Sequence, residues 1–521
     1  MSVWLAILGT WLASILFSHY LGYWVTLPNS QRQSYIHTRS DVSLMSIVFF
    51  IALLILHRPI FSMGVTITLI IILSVVNNAK VKALQEPMVF SDFGLFSQVF
   101  KYPRLYLPFL HLPTVVALCL LGCISVIGIL YLEPSIVSYA GSVLVVDSAS
   151  AIVIVLLAGW LIYHKQDVEL NAEPIADIQH NGFLSSLFFA YYQALQDVKN
   201  NDFLNKLKLN TRLQTTEKPP KILPNIIAIQ SESFFDARRL SSHIKPQVLR
   251  EFDKITEESC YAGQVEVAAW GANTMRSEFS FLTGIPSNLL GLHQYNPYQY
   301  LPVDHLPSLL KQLKSLGYIC IALHPYPAGF FQRERVFKQF GFDEFLDINA
   351  FSTAAKTGPY IGDIAVADKI IDVLQCYQAE NAQQPIFVFA ITMENHGPLH
   401  LESIKPEEIE QFVYHEPVEK IHDLIVYLRH LQNADRMLST LCKTLKAWER
   451  PAVVCCYGDH VPSMPDVYHA LAYTNANTDY FVWHSKQVEM NFTPQKQIIN
   501  IAELASLVLA TAMLETQEFV N

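Results

Sequence analysis

The chain has 521 residues, of which 51% are hydrophobic and 16% charged, and its formal net charge is -10 at pH 7. This length allows two or three folded units, and the hydrophobic share exceeds that of an ordinary soluble domain. The negative charge, with no basic stripe to offset it, argues against nucleic acid as a partner. Because the apolar excess lies almost wholly before residue 165, we expect a membrane half followed by a soluble half.

Five apolar segments in the first half are each near the length of about 17–25 residues that a helix needs to cross a bilayer. They are 4–26, 42–57, 60–76, 107–132 and 145–163. The first has neither a basic start nor an Ala-x-Ala site, which predicts a retained helix and not a cleaved signal. With five crossings, the loop 77–106 and everything after 164 face the same side. That polar loop could form a floor under the soluble half or remain solvated.

The charges in the loops bear on orientation. If the N-terminus is cytoplasmic, the loops on the cytoplasmic side contain only Arg58. The loops on the opposite side then contain Arg32, Arg39, Lys80, Lys82, Lys101 and Arg104. The positive-inside rule therefore favours the reverse orientation, with the soluble half in the cytoplasm.

Residues 166–221 connect the two halves. The aromatic and amphipathic segment 181–195 is predicted to be an interfacial helix, with a plain core helix as the alternative. The polar segment 200–221 ends in Lys-Pro-Pro-Lys and is typical of a linker. The expected domains are thus 1–165 with five transmembrane helices, 166–221 with the interfacial helix and linker, and 222–521 as the soluble domain.

In the soluble half, short apolar runs alternate with helical patterns, which predicts an α/β fold with a mostly parallel sheet. Four of these runs are followed closely by side chains that could bind a ligand. Glu232 follows 226–229, His324 follows 318–323, His396 follows 386–391, and Asp459 and His460 follow 452–457. A lone histidine after a strand is usually structural. Because parallel strands end at one edge of a sheet, however, four such ends together predict a site there.

The candidate ligands suggest a metal and a nucleophile. Glu232, Asp459 and His460 offer oxygen and imidazole donors without a thiolate, a set that suits Mn²⁺ or Mg²⁺ and, less well, Zn²⁺. The segment 270–284 places Thr274 on a turn before a helical pattern. A metal-bound hydroxyl loses its proton more readily and can act as a nucleophile. The alternative is that Gly-Ala-Asn-Thr274 is an ordinary turn and helix N-cap.

A further cluster follows His324. Arg333 and Arg335 could clamp a phosphate with their forked guanidinium groups, and Phe331 could pack against a small polyol. The alternative, a solvated helix start with Arg–Glu pairs, applies more to Arg335 than to Arg333.

Other candidates receive ordinary interpretations. His484, which follows an aromatic run, is predicted to be structural. The apolar segment 498–513 contains Glu503 and is predicted to pack on the sheet as a helix, not to form a sixth span. The six cysteines of the soluble half show no metal-type pairing, which leaves their disulfide state open.

Taken together, these motifs resemble the lipoteichoic acid synthase and phosphoglycerol transferase family of the alkaline phosphatase and sulfatase superfamily. The resemblance rests on five motifs in the family's order: Pro224-Asn-Ile-Ile-Ala-Ile-Gln-Ser-Glu232-Ser-Phe, Gly271-Ala-Asn-Thr274-Met-Arg-Ser-Glu278-Phe, Phe331-Gln-Arg333, Glu394-Asn-His396-Gly-Pro and Gly458-Asp459-His460. The five spans, the Glu86-Pro-Met…Asp92 loop and the Asn181-Gly-Phe-Leu segment extend the likeness over nearly the whole chain. The fold it implies is an N-terminal transmembrane bundle of five helices followed by a C-terminal α/β domain like that of alkaline phosphatase and sulfatases.

The resemblance also implies a mechanism. Glu232, Thr274, Asp459 and His460 would hold one divalent cation, Mn²⁺ or Mg²⁺. Thr274 would attack the headgroup phosphorus of phosphatidylglycerol, release diacylglycerol and pass the glycerophosphate from a phospho-threonine to an acceptor. That acceptor would be a glycan, a glycolipid or a growing polyglycerolphosphate chain.

Substrate-binding positions and the cellular location are implied in the same way. Arg333 and His396 match positions that bind the phosphoglycerol group, His324 matches a position near it where proton transfer is conceivable, and Phe331 stands where many relatives have Trp. The family is multi-pass in the bacterial cytoplasmic (inner) membrane, with its catalytic domain extracytoplasmic. On orientation we follow the family against the loop charges.

Three other functions stay open. A phosphoethanolamine transferase is disfavoured because the motif around Ser277-Glu-Phe resembles that of the phosphoglycerol transferases more closely. A sulfatase-like phosphodiester hydrolase is disfavoured because the nucleophile segment lacks Cys-x-Pro-x-Arg or Ser-x-Pro-x-Arg. An inactive lipid-binding envelope scaffold is disfavoured by the intact set Glu232, Thr274, Asp459 and His460.

Overall fold

The computed structural model describes residues 3–22, 25, 27, 39–106, 112–138, 142–165, 168–214, 219–416, 421–486 and 496–515. The chain forms two compact units, Met1–Gln196 and Asp197–Asn521. The predicted boundaries at 165 and 221 stay a prediction, and 215–218 of the predicted linker lie outside the described residues.

The first unit is helical. Its helices are α1 (Val3–Gly22), α2 (Arg39–Leu56), α3 (Pro59–Leu84), α4 (Phe96–Lys101), α5 (Pro103–Tyr106), α6 (Leu112–Leu132), α7 (Ser142–His164), α8 (Pro174–Asn181) and α9 (Phe183–Asp197). Within the described part of the chain, five helical segments are long and apolar enough to cross a membrane, at α1, α2, α3, α6 and α7. The five predicted spans are confirmed within the described residues, whereas 23, 24 and 26 of the first and 107–111 of the fourth lie outside them.

Helix α3 runs further than predicted. It continues to Leu84, so the first part of the predicted loop 77–106 is helical, because the Ala, Lys and Leu residues there are good helix formers. The next turn is packed against the helix. Nζ of Lys80 lies 2.7 Å from Oε1 of Glu86 and 2.8 Å from Oδ2 of Asp92. The connection after α3 is thus held by ion pairs within the first unit. The alternative prediction was a solvated loop.

The predicted helix 181–195 is present as α9. It is separated from α8 at Gly182, where φ is +90° and an added Cβ would overlap the carboxylate of Asp41. Oδ1 of Asp41 accepts hydrogen bonds from the backbone N (2.7 Å) and hydroxyl (2.6 Å) of Ser185. The carboxylate thus satisfies one of the N–H groups that a helix start leaves unpaired. The interfacial location of α9 stays a prediction.

The second unit is α/β. Its strands are β1 (Asn225–Ser231), β2 (Tyr261–Glu266), β3 (Ile319–Leu323), β4 (Glu344–Leu346), β5 (Lys356–Thr357), β6 (Tyr360–Ile361), β7 (Ile386–Ile391), β8 (Ala452–Gly458), β9 (Thr478–His484) and β10 (Lys496–Asn500). Its helices are α10 (Asn201–Leu209), α11 (Arg250–Glu257), α12 (Met275–Thr283), α13 (Pro297–Tyr300), α14 (Leu309–Ser315), α15 (Arg333–Phe340), α16 (Asp363–Glu380), α17 (Pro406–Phe412), α18 (His422–Lys446), α19 (Pro465–Leu471) and α20 (Ile501–Ala512).

Eight strands form one sheet in the order β10-β2-β9-β8-β1-β7-β3-β4. From β8 to β4 the strands are parallel, whereas β9 runs antiparallel to β8 and β2 antiparallel to β9. The predicted mostly parallel sheet is confirmed. Ser231 pairs with Gly458, Gln230 with Ile391, and Leu323 with Ala390. The four predicted site strands therefore end at one edge of the sheet.

Helices cover both faces of the sheet. On one face, α16 and α18 pack on Ile227 and Val388 in the main apolar core. On the other, α12 places the ring of Phe281 5.8 Å from that of Phe389 and 4.9 Å from that of Tyr457. Helix α20 contacts α12, β8 and β9, as expected for 498–513, although 498–500 belong to strand β10.

Candidate active site

Glu232, Asp459 and His460 meet at the carboxyl ends of β1 and β8. Nε2 of His460 lies 3.4 Å from Oδ2 of Asp459 and 3.6 Å from Oε1 of Glu232. One ligand atom from each residue lies within 4.8 Å of the others, and all three side chains are buried. Over the described ranges, no other group of three or more His, Cys, Asp or Glu side chains shows this arrangement.

Ser233 joins the two strand ends. Its backbone N donates to Oδ1 of Asp459 at 2.8 Å, and its hydroxyl donates to Oε1 of Glu232 at 2.9 Å. Ser233 has a φ of +55°, an uncommon conformation for a residue with a Cβ. The hydroxyl of Tyr427 in α18 donates to its carbonyl at 2.8 Å and helps to hold that turn. Sequence reasoning missed both Ser233 and Tyr427.

The chemistry of this cluster fits a divalent cation. Nδ1 of His460 lies 3.0 Å from the carbonyl oxygen of Val461, so Nδ1 carries the proton and the lone pair of Nε2 faces the carboxylates. Nε2 of His460 and Oδ2 of Asp459 are buried and have no hydrogen-bond partner among the described residues. Burial, and then the charge of Asp459, raise the pKa of Glu232 to about 8. A bound cation would offset the repulsion between the carboxylates of Glu232 and Asp459. It would also bind the two buried atoms that lack a hydrogen-bond partner.

Thr274 stands at the N-cap position of α12 but does not cap it. Its φ and ψ are -37° and -40°, and its side chain makes no capping hydrogen bond, which contradicts the ordinary N-cap alternative. On both sides of Thr274, hydrogen bonds tie the segment to the loop that bears Asp459 and His460. The backbone N of Gly271 donates to the carbonyl of Val461 at 3.1 Å, and the hydroxyl of Ser277 donates to the carbonyl of Asp459 at 2.6 Å. The segment that carries Thr274 is thus held against the loop of Asp459 and Val461, and the Thr274 side chain makes no capping hydrogen bond.

Arg333 is buried at the start of α15 and firmly held. Its Nη2 and Nε lie 2.8 and 3.1 Å from Oε2 of Glu278, and its Nη1 lies 3.1 Å from Nε2 of His324. The ring of Phe331 lies 5.3 Å from the guanidinium carbon, within cation–π range. Arg335 is exposed and bonds to Gln332, Gln339 and the carbonyl of Tyr298, so the solvated alternative applies to it.

Both ring nitrogens of His324 are engaged within the protein. Nδ1 lies 3.2 Å from the carbonyl oxygen of Ile391, and Nε2 accepts from Arg333. Burial and then the Arg333 charge lower the pKa of His324 well below its ordinary value. His324 is therefore a neutral imidazole that orients Arg333, an arrangement that gives no support to the proton transfer conceivable at this position.

His396 lies in the turn after β7 and is partly exposed. Its Nδ1 is 2.7 Å from the carbonyl oxygen of Gly397, which assigns the proton to Nδ1 and leaves Nε2 as an acceptor. Its pKa is lowered, first by burial; Asp459 raises it and Arg333 lowers it by their charges. His396 follows β7, which pairs with β1, the strand that precedes Glu232.

Two further acidic groups, Glu278 and Glu394, belong to motifs named above, but the sequence predicted no role for either. Glu278 anchors Arg333, and it stands four residues, about one helical turn, after Thr274. Glu394 accepts the backbone N–H of Asp363 at 2.7 Å and lies 2.9 Å from Nδ1 of His430, whose Nε2 lies 3.1 Å from Glu402. No sequence pattern indicated His430.

The remaining candidates lie outside the site. The ring of His484 is hydrogen-bonded to the backbone of Lys486, in keeping with a structural role. All eight cysteines are free, which answers for this structure the disulfide question that the sequence leaves open.

A sulfatase family model matches residues 224–513, more than half of the chain. Three relatives illustrate its range. A Rhizobium meliloti protein named for cyclic beta-1,2-glucan modification is 27% identical over 61% of this chain and 48% of its own length. The capsular polysaccharide biosynthesis protein RkpI of the same species is 25% identical over 82% of this chain and 77% of its own length. Lipoteichoic acid synthase of Staphylococcus aureus is 25% identical over 53% of this chain and 44% of its own length. The chain thus spans about half the length of two of these three relatives.

One solved structure is similar along almost the whole chain. The integral membrane lipooligosaccharide phosphoethanolamine transferase A of Neisseria meningitidis matches with a TM-score of 0.55 at 14% identity, over 99% of this chain and 96% of that chain. This likeness concerns the fold alone and agrees with the predicted architecture of membrane helices followed by an α/β domain. Lipoteichoic acid synthase is among the relatives, as the motifs predicted, and the chain belongs to the sulfatase family of the alkaline phosphatase superfamily.

Proposed function

We propose that this protein is a membrane-bound phosphoglycerol transferase. It moves glycerophosphate from phosphatidylglycerol, through a phospho-threonine at Thr274, to a hydroxyl of an envelope glycan, a glycolipid or a polyglycerolphosphate chain, and it releases diacylglycerol. One observation carries the proposal: the Thr274 hydroxyl does not cap its helix, and hydrogen bonds on both sides tie its segment to the loop that bears Asp459 and His460. The family and its relatives support a phosphotransferase of this superfamily.

Glu232, Asp459 and His460 would hold one divalent cation, with Thr274 as a further ligand. The donor set suits Mn²⁺ or Mg²⁺ better than Zn²⁺, because two of its three side chains are carboxylates and none is a thiolate. When bound, the cation would lower the pKa of the Thr274 hydroxyl and neutralise charge on the phosphate.

The protein's own groups account for the two displacements. Oγ1 of Thr274 bonds to the donor phosphorus while the phosphorus–oxygen bond to diacylglycerol breaks, and the threonine proton leaves with diacylglycerol. Arg333 binds phosphate oxygens, Nε2 of His396 accepts a hydrogen bond from a glycerol hydroxyl, and Phe331 forms an apolar wall. An acceptor hydroxyl then bonds to phosphorus, the bond to Thr274 breaks, and the acceptor's proton returns to Thr274.

The cellular setting follows from the substrates. We place the protein in the bacterial cytoplasmic (inner) membrane with its catalytic unit extracytoplasmic, because envelope glycans are modified on that face. The names of the relatives, which refer to glucan modification and capsular polysaccharide biosynthesis, support a glycan-type acceptor.

The test is release of diacylglycerol from phosphatidylglycerol by the purified full chain with Mn²⁺. Thr274→Ala should abolish release, and the matched control Thr353→Ala, an exposed threonine in the same unit, should retain it. Unchanged release by Thr274→Ala contradicts the mechanism. Release from phosphatidylethanolamine but not from phosphatidylglycerol would overturn the donor and favour a phosphoethanolamine transferase.

A further inference from the structure

We propose that Glu278 is a positioning residue of the active site. Its carboxylate fixes the guanidinium group of Arg333, so that a defined pair of N–H groups is presented to the donor phosphate. This inference rests on the function proposed above and adds to it a residue that acts through Arg333 without touching the substrate.

The carboxylate of Glu278 faces the side of the Arg333 guanidinium group that bears Nε and Nη2. Oε2 of Glu278 lies 2.8 Å from Nη2 and 3.1 Å from Nε of Arg333, and Oε1 lies 3.2 Å from Nε. The two side chains are 0% and 1% exposed. The hydroxyl of Tyr298 donates to Oε1 of Glu278 at 2.5 Å. Two charge-assisted bonds and a third donor therefore fix the plane of the carboxylate and, with it, the plane of the guanidinium.

The pairing also determines which part of Arg333 remains for a ligand. A guanidinium group has five N–H donors. Glu278 takes one on Nε and one on Nη2, and His324 takes one on Nη1. The described contacts leave one N–H on each of Nη1 and Nη2, a pair that can bind two oxygens of one phosphate. His324 can accept from Nη1 because its other nitrogen faces the carbonyl of Ile391.

Glu278 also links this pair to the nucleophile. Its backbone N donates to the carbonyl of Thr274 at 3.2 Å, so the two residues are one turn apart in α12. A helical turn spans about 5.4 Å and is stiff. The helix that carries the proposed nucleophile thus also carries the anchor of the proposed phosphate-binding arginine. Shortening or neutralising the anchor should move the guanidinium relative to Thr274.

A purely structural ion pair would look similar in a static structure, so the test measures coupling. Glu278→Gln, Arg333→Gln and the double variant are compared by kcat/KM for phosphatidylglycerol. A small displacement of a binding group can lower kcat/KM by about 100-fold, and we expect a loss of that order from each single variant. If Glu278 acts through Arg333, the double variant should be no worse than Arg333→Gln. Losses that multiply would overturn the proposal.

Two controls separate positioning from folding. Glu344→Gln makes the same substitution at an exposed carboxylate that accepts a hydrogen bond from Tyr377, and it should leave kcat/KM unchanged. Glu278→Asp keeps the charge but shortens the side chain, so it covers the case in which Glu278→Gln does not fold. It should keep the rise in thermal midpoint on adding Mn²⁺ while losing kcat/KM. Wild-type kcat/KM in Glu278→Asp would contradict a positioning role.

A binding measurement keeps this inference separate from the proposed function. If the wild-type protein releases no diacylglycerol from phosphatidylglycerol, the proposed function fails. The same variants are then compared by their affinity for glycerol 1-phosphate with Mn²⁺, measured calorimetrically. Weaker binding by Glu278→Asp, and no further loss in the double variant beyond Arg333→Gln, supports the positioning role. Wild-type affinity in Glu278→Asp, or no affinity in the wild type, overturns it.

Discussion

Nε2 of His460 lies 3.4 Å from Oδ2 of Asp459, and both are buried hydrogen-bond acceptors without a partner in the described parts of the chain. The proton of the imidazole is on the opposite nitrogen, where it meets the carbonyl of Val461. The neighbouring carboxylates of Glu232 and Asp459 repel each other, and burial and then the charge of Asp459 raise the pKa of Glu232 to about 8. The local fold therefore holds these side chains in an arrangement that a bound cation would make favourable.

Mn²⁺ should therefore raise the thermal midpoint of the full chain. A ligand at about 100 times its dissociation constant adds about 2.7 kcal/mol to the free energy of unfolding. Asp459→Asn should lose most of the Mn²⁺-dependent rise, and its metal-free form should remain folded because the substitution removes a charge beside Glu232. The matched control Asp304→Asn, whose carboxylate is exposed, should keep the full rise. An equal rise in Asp459→Asn and wild type would contradict this cation site.

The glycine before Asp459 should not tolerate a methyl group. A Cβ at Gly458 would overlap the carbonyl oxygen of Phe234, so Gly458→Ala must displace the turn after β1 or the end of β8. Overpacking of this kind typically costs about 1–3 kcal/mol, and we expect a lower thermal midpoint together with weaker binding of Mn²⁺. Gly159→Ala is the matched control, because a Cβ there meets nothing within 4 Å. Unchanged Mn²⁺ affinity in Gly458→Ala would show that the turn can adapt.

His430 should make the stability depend on pH. Burial lowers its pKa, but hydrogen bonds to Glu394 and Glu402 outweigh this and raise it to about 9. The unfolded value is about 6.5, so the stabilisation is fully present below that pH and is lost as pH rises through about 9. The loss is at most about 1.4 kcal/mol per pH unit for one proton.

The measurement for His430 is the thermal midpoint of the full chain from about pH 6 to about pH 10. The midpoint of the wild type should fall across this range, and that of His430→Gln should fall less steeply. His305→Gln, at an exposed histidine, should follow the wild type. Parallel curves for wild type and His430→Gln would rule out this contribution.

The cysteines should separate into reactive and inert groups. Cys376 is exposed, whereas Cys260 and Cys320 are buried, and burial raises the pKa of Cys260 to about 11 and that of Cys320 to about 12. Because the thiolate is the reactive form, a water-soluble maleimide should label Cys376 in the native protein and neither buried thiol. After denaturation without reductant, mass spectrometry should find all eight cysteines alkylated. A pair that reacts only after reduction would reveal a disulfide.

The strand-end residues could be predicted from sequence because the information is local. A continuous apolar run followed by Glu232 or by Asp459 and His460 is visible in a few residues, and parallel strands bring their ends to one edge. The antiparallel side of the sheet has a weaker signal. Strand β2 contains Gly263, at a φ of +152°, and pairs with β9 far along the chain, so its place depends on the whole fold.

The supporting groups of the site could not be predicted for a related reason. Glu278 meets Arg333 55 positions away in sequence, and Glu394 meets His430 36 positions away. Such pairs have no periodicity, because they form only when α12, α15 and α18 have been placed around the sheet. Helix α3 is a different case, because the good helix formers that extend it to Leu84 are local, but they follow the end of the apolar run and were assigned to a polar loop.

The uncapped start of α12 has a consequence for how this protein would respond to laboratory evolution. A good N-cap side chain typically adds about 1 kcal/mol of stability, and the Thr274 hydroxyl makes no such bond. The Thr274 hydroxyl therefore contributes no capping energy to α12, and selection for heat resistance alone should tolerate its loss. If Thr274 is the nucleophile proposed above, such variants would remain stable but would be inactive, so a thermostabilised version of this protein should be sought with position 274 held fixed.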